Sequence, residues 1–240
     1  MIHKALKDRR PTLVSFSGID GSGKSTQIEI LRIRLQQSGL SVRLLAFWDD
    51  LAVLKDFREF TSYSVLGSDK GVGARGKPVN RRDKNVQSWY TTPVRFFLYF
   101  LDALSSCRAV AEARASEADV VILDRYLYDE LANLPLNGPV TRAYVRLLLK
   151  LAPQPDVAYL LDADPDQARE RKPEYPLEFL RSNRASYLAL AEMAGMTAVV
   201  PGSVAEVSES IMHRLSQKLQ PVMTQLEKAD AGSLQHPLTP

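Results

Sequence analysis

The chain has 240 residues, 45 % of them apolar and 25 % charged, with a net charge of +3. These are ordinary values for a folded domain with a sizeable core, and they exclude a disordered chain. The charge is too mild to argue for nucleic acid, and a single cysteine, Cys107, excludes an internal disulfide.

Residues 1–10 read as a basic, flexible lead-in that lacks the apolar centre of a signal peptide. No apolar run reaches membrane-spanning length. The expectation is therefore a cytoplasmic protein with no membrane or nucleic-acid partner. Order begins at Pro11. Leu13–Phe16 is a first strand and Ser25–Ser38 a first helix, with Ile28, Leu31 and Leu35 on one face and Gly39 at its end. Ser41–Phe47 reads as a second strand. Residues 49–65 are mixed and helical in part. The stretch 67–84 is rich in glycine and cations, and reads as a surface loop or a substrate-facing one that offers Arg75, Lys77, Arg81 or Arg82.

Thr92–Ala115 is a long helical pattern with Pro93 in its first turn. Val94, Phe97, Leu101, Leu104 and Ala111 lie near one stripe, and the aromatics Phe96, Phe97, Tyr99 and Phe100 are expected in the core. Cys107 on this helix reads as a buried small hydrophobe. Asp119–Leu123 is a third strand leading into Asp124-Arg125-Tyr126. Residues 139–151 form an amphipathic helix and Val157–Leu161 a fourth strand. Short helical Asp166–Lys172, a helix over 177–194, a strand at Thr197–Val200 and a helix at Ser203–Leu219 follow. Residues 221–240 read as a loose tail, which leaves one domain over 11–220. Five strands alternating with helices predict a parallel sheet covered on both faces.

The chemistry gathers at the carboxyl ends of those strands. Gly18-Ile19-Asp20-Gly21-Ser22-Gly23-Lys24-Ser25 fits G-x-x-x-x-G-K-[ST], between a strand and a helix as that motif requires. Glycines there let successive N–H groups turn inward to an anion, and the helix N-terminus adds its positive dipole end. Lys24 can reach the β- and γ-phosphates of a nucleoside triphosphate, and the Ser25 hydroxyl can ligate Mg²⁺. The fold class is then α/β, a P-loop NTPase-like three-layer sandwich with a five-stranded parallel sheet flanked by helices.

Asp124, after four apolar residues, suits a carboxylate beside the metal. Arg125 beside it can grip an acceptor phosphate bidentately, where a hydrolase would instead need a residue to position water. Asp162 and Asp164 end a neighbouring strand. Arg169, Arg171 and Lys172, with Arg181 and Arg184 further on, flank Pro173 and Pro176, so a lid over about 166–178 is expected to bring cations to the triphosphate.

Residues 16–27, Asp124-Arg125-Tyr126, the stretch from Pro155 to Arg171 and Phe179–Ala191 together resemble the thymidylate kinase family of nucleoside monophosphate kinases, over most of 11–219. The resemblance implies ATP binding by Gly18, Asp20, Gly21, Ser22, Gly23, Lys24, Ser25 and Thr26, with Mg²⁺ at Ser25 and Asp124. It implies Lys24, Arg125, Arg169 and Arg171 as catalytic residues and Asp20, Tyr99 and Arg125 around the acceptor, with Tyr99 in the place of an aromatic that stacks on thymine. It also implies a homodimer to which the long helix contributes. The chain departs from the family at Phe47-Trp48-Asp49-Asp50, where an arginine-bearing turn is usual, at Ala103, where a base-reading arginine is usual, and at Leu127-Tyr128-Asp129-Glu130, where small polar residues are usual. The expected activity is phosphoryl transfer from ATP to a nucleoside monophosphate, dTMP first. A kinase for a nucleoside or another phosphorylated metabolite, and a nucleotide-binding regulatory protein without transfer, remain alternatives.

Overall fold

The computed structural model describes residues 10–47 and 91–233. The expectations for 1–9, for 49–65, for the basic stretch 67–84 and for Trp48, Asp49 and Asp50 lie outside the described residues. The strands are β1 (Thr12–Ser17), β2 (Val42–Ala46), β3 (Val120–Asp124), β4 (Val157–Leu161) and β5 (Thr197–Val199). They form one parallel sheet in the order β2-β3-β1-β4-β5. The helices, in chain order, are α1 (Lys24–Gln37), α2 (Thr91–Arg114), α3 (Leu127–Leu131), α4 (Pro139–Leu151), α5 (Pro165–Arg171), α6 (Leu177–Ala194) and α7 (Val204–Ser233).

Alternation along each strand sends its apolar side chains to two separate cores. Val14 and Phe16 of β1, Ile122 of β3 and Tyr159 of β4 pack with Ile28, Leu31 and Leu35 of α1 and with Ile211, Leu215 and Leu219 of α7. Leu13, Val121, Leu123 and Leu160 face the other way, onto a core shared with α2, α3, α4 and α6. The outcome is the expected three-layer sandwich. Two hydrogen bonds tie α7 across its layer: Tyr159 Oη donates to the Ile211 carbonyl at 2.8 Å, and Gln27 Nε2 donates to the Val204 carbonyl at 3.0 Å.

Local chemistry sets the helix ends. Pro139 and Pro165 occupy first turns, where a missing N–H costs nothing. The Asp164 side chain accepts from Gln167 N–H at 3.0 Å and caps α5.

Three elements differ from expectation. First, α2 does not bury its bulkiest stripe. Tyr99, Ala103, Ser106, Val110 and Ala113 are buried, whereas Phe97 is 62 % exposed and Phe100 and Leu104 are also exposed. Small residues let the α2 backbone approach its neighbours closely, and that decides which face turns inward. Cys107 is half-buried, with Sγ 3.4 Å from the Ala103 carbonyl and 3.5 Å from that of Leu151. Second, α3 is a short helix within a segment for which no element was expected. Third, α7 continues past Leu219 to Ser233, through residues of high helix propensity such as Met223, Gln225, Leu226, Glu227 and Lys228.

Candidate phosphate-binding and acceptor site

The sheet order puts β1 at the centre, between β3 and β4. The glycine-rich turn leaves β1, and Asp124-Arg125 leaves β3 directly alongside, since Phe16 is in register with Asp124. Both open at the carboxyl edge, where a doubly wound sheet binds its ligand.

The loop conformation explains its glycines. Gly21 has φ of +84°, and a Cβ there would stand 2.3 Å from the Ala168 carbonyl oxygen of α5. Gly18 has φ of +146°, and a Cβ there would meet the Leu161 carbonyl at the end of β4 at 2.6 Å. The loop is thus wedged against two backbones, and only glycine fits. Lys24 is buried, and its Nζ donates to the carbonyls of Gly18 at 2.7 Å and Ile19 at 2.9 Å. Ser22 Oγ lies 3.4 Å from the same ammonium. Ser25 and Thr26, in the first turn of α1, are exposed at the mouth of the loop.

Arg125 has φ of +68°, a left-handed conformation that no other non-glycine among the described residues adopts. Such a backbone costs about 1–3 kcal/mol, and it persists where the surroundings hold it. Its N–H donates to the Phe16 carbonyl at 3.1 Å, tying the turn to β1. The side chain reaches the phosphate loop: Nη2 donates to Asp20 Oδ1 at 2.5 Å. Asp129 Oδ1 is 3.8 Å from Nη1. Asp20 and Asp129 are buried and Arg125 nearly so, and these two carboxylates hold the guanidinium charged well above its usual range against the opposing effect of burial.

Asp124, at the end of β3, has its carboxyl raised above the usual value. Burial is the main cause, and the cations of Arg125, Lys24 and Lys172 offset it in part. No group of three or more His, Cys, Asp or Glu side chains among the described residues could hold a metal by itself. Magnesium in phosphate-transfer sites needs only one or two protein oxygens beside those of the substrate and water, and one desolvated carboxylate with one exposed hydroxyl, Ser25, suits it.

The basic cluster divides into two groups. Arg169 and Arg171 are exposed on α5, and Arg171 Nε donates to the Gln167 carbonyl within that helix at 3.2 Å. Lys172, at the helix end, is the one that reaches the loop. Its Nζ lies 3.8 Å from Asp20 Oδ1 and 3.6 Å from Glu174 Oε2. Sequence reasoning ranked it below the two arginines, and the signal it lacked was where α5 stops. Arg184 and Arg181 are engaged elsewhere. Arg184 clamps Asp162 with two bonds of 2.6 Å, and Arg181 pairs with Glu178 at 2.9 Å and Asp166 at 3.4 Å. Asp162 and Asp164 therefore hold a helix and cap one. Tyr99 is buried in the same apolar core as Phe47, Leu127 and Tyr187, and Ala103, one turn on, is fully buried there.

A central strand running into a glycine loop, a lysine folded over that loop and an arginine delivered from the next strand define a P-loop α/β phosphotransferase. Comparison with known proteins narrows this. The chain is 32 % identical over 190 residues to a probable thymidylate kinase from Pyrobaculum aerophilum, covering 76 % of this chain and 84 % of that protein. It is 30 % identical over 220 residues to a probable thymidylate kinase from Pyrococcus abyssi, covering 88 % and 98 %. No family model matches the chain. Among solved structures, thymidylate kinase from Candida albicans superposes with a TM-score of 0.58 at 16 % identity, over 87 % of this chain and 92 % of that one. Thymidylate kinase from Ehrlichia chaffeensis superposes with 0.56 at 17 % identity, over 87 % and 99 %. This chain belongs to the thymidylate kinase family.

Proposed function

We infer that this protein transfers the γ-phosphoryl group of ATP to dTMP, yielding dTDP and ADP. The observation that carries this reading is Arg125. A guanidinium held on a strained turn beside the phosphate loop, and bonded to the loop's own Asp20, supports a second phosphate there rather than a water. The loop amides of Gly18, Gly21, Ser22 and Gly23, with Lys24, Ser25 and Thr26, hold the triphosphate. Arg125 receives the acceptor phosphate, with Asp20 beside it near the acceptor sugar, and Tyr99 serves the base. Ser25 and Asp124 would hold Mg²⁺, which would supply charge neutralisation to the triphosphate. The acceptor oxygen is already anionic, so catalysis needs alignment and charge compensation rather than a strong base. Exposed Arg169 and Arg171, with Lys172, supply lid cations as α5 folds over the triphosphate.

One observation favours a second acceptor within the same chemistry. At Ala103, where the family usually carries its base-reading arginine, the side chain is fully buried and apolar. Another nucleoside monophosphate is therefore the runner-up. No helix among the described residues is long and apolar enough to cross a membrane, and the protein acts in the cytoplasm. The exposed stripe Phe97, Phe100 and Leu104 on α2 supports a homodimer, since these residues lie at i, i+3 and i+7 on one face.

The test is ADP release from Mg·ATP with a panel of nucleoside monophosphates and nucleosides. The reading expects dTMP to stimulate release most strongly, and Arg125→Ala to raise the dTMP KM and lower kcat. Stimulation by a nucleoside instead, or ATP binding with no acceptor-dependent release, would contradict it.

A further inference from the structure

Asp129 lies outside the phosphate-loop motif, and the family resemblance gives it no role. Its carboxylate is nevertheless 3 % exposed and accepts three hydrogen bonds from three parts of the chain. Ser17 Oγ, at the end of β1, donates to Oδ2 at 2.7 Å. The Tyr126 N–H donates to the same oxygen at 3.1 Å. Tyr187 Oη of α6 donates to Oδ1 at 2.8 Å. The Arg125 Nη1 atom faces that Oδ1 at 3.8 Å.

We propose that Asp129 is a positioning residue for the acceptor step: it fixes the strained turn at Arg125 and one edge of its guanidinium, anchoring both to β1 and α6. This rests on the reading that Arg125 grips the acceptor phosphate. The left-handed backbone at Arg125 needs its flanking peptides pinned. The Phe16 carbonyl pins the N–H of Arg125 itself, and Asp129 pins the next one. The guanidinium has two carboxylate neighbours of different kinds. Asp20 belongs to the phosphate loop and also faces Lys172 at 3.8 Å. Asp129 is held by hydroxyls on a strand and a long helix, so its position does not depend on the loop. A second row of bonds secures its peptide turn. Asn133 Nδ2 donates to the Asp129 carbonyl at 3.0 Å, and Asn183 Nδ2 of α6 donates to the Ala132 carbonyl at 3.0 Å. An incoming phosphate that takes the place of Asp20 on the fork thus meets a guanidinium still oriented by Asp129.

The experiment is steady-state kinetics on the full chain with ATP and dTMP varied separately, below the melting temperature of every variant. Asp129→Asn keeps the size but replaces one accepting oxygen with a donor. It is expected to raise the dTMP KM about ten- to hundredfold and lower kcat, with the ATP KM within about twofold of wild type. Added to Arg125→Ala it should change neither constant further, because the two act through one group. Tyr187→Phe removes a single hydroxyl and should move the dTMP KM in the same direction by less; it decides the matter if Asp129→Asn does not fold. A role confined to stability would lower the melting temperature and leave both KM values of the folded variants unchanged, which overturns the proposal. Fully additive effects of Asp129→Asn and Arg125→Ala would overturn it too. If Arg125→Ala itself leaves the dTMP KM unchanged, the acceptor reading beneath the proposal has failed. If Arg125→Ala raises it while Asp129→Asn and Tyr187→Phe do not, the Asp129 inference fails alone.

Discussion

Asp124 shows how a single side chain can work against the fold. Its carboxyl is raised by burial, so between its ordinary value and its folded one the native protein holds a proton that the unfolded chain has released. Stability therefore falls as pH rises through that window, and the cost stays in full at neutral pH. In the metal-free protein Asp124→Asn should raise the melting temperature at pH 7 by a few degrees, on the order of 1 kcal/mol. The advantage over wild type should shrink as the pH is lowered into the window where the buried Asp124 carboxyl takes up its proton. If Asp124 holds Mg²⁺ as proposed, the same variant should lose at least about a hundredfold in Mg·ATP-dependent turnover, because the charge that burdens the fold would be the one the metal needs. A variant that is less stable than wild type at pH 7 with chelator present would contradict this.

At the scale of elements, contact between the phosphate loop and α5 is the tightest constraint. Gly21→Ala forces a Cβ onto the Ala168 carbonyl, whereas Gly23, with φ of +92°, has nothing within 4 Å of the same added atom. Both substitutions strain the backbone by about 1–2 kcal/mol. Only Gly21→Ala must also displace α5. Thermal melts should show Gly21→Ala as the more damaging change, and calorimetry should show the larger loss of ATP affinity there. Equal effects would mean that the loop and α5 are not packed as described. The strands were legible in the sequence because both faces of each central one are buried, so β3 reads as the apolar run Val120–Leu123 and β1 as an apolar run interrupted at Ser15. The inward face of α2 was not legible. A helical pattern ranks residues by hydrophobicity, while this helix buries Ala103, Ser106 and Ala113 and leaves Phe97 outside. Arg125 could be named from its neighbour Asp124. The groups that hold it could not, because Ser17 and Tyr187 stand 112 and 58 positions from Asp129. Arg169 and Arg171 were legible as charges on a helix, but that Lys172 reaches Asp20 of the loop depends on packing of α5.

For the whole molecule, the two layers covering the sheet are unequal in what they leave uncovered. The α2 face presents Phe97, Phe100 and Leu104, and α4 adds exposed Val140, Leu147 and Leu151. If a second copy covers the α2 stripe, replacing both Phe97 and Leu104 with glutamate should convert a dimer to a monomer in sedimentation experiments. The melting temperature measured at low protein concentration should change little, since these side chains are already exposed in the single chain. A wild-type protein that sediments as a monomer at tens of micromolar would remove the dimer. The most direct check of the account as a whole is phosphorus NMR of wild type and Lys24→Ala protein with Mg·ATP and dTMP. The account predicts that the ATP γ-signal gives way to dTDP and ADP with wild type, and that no transfer occurs with the variant; inorganic phosphate as the only product, or transfer that persists without Lys24, would contradict it.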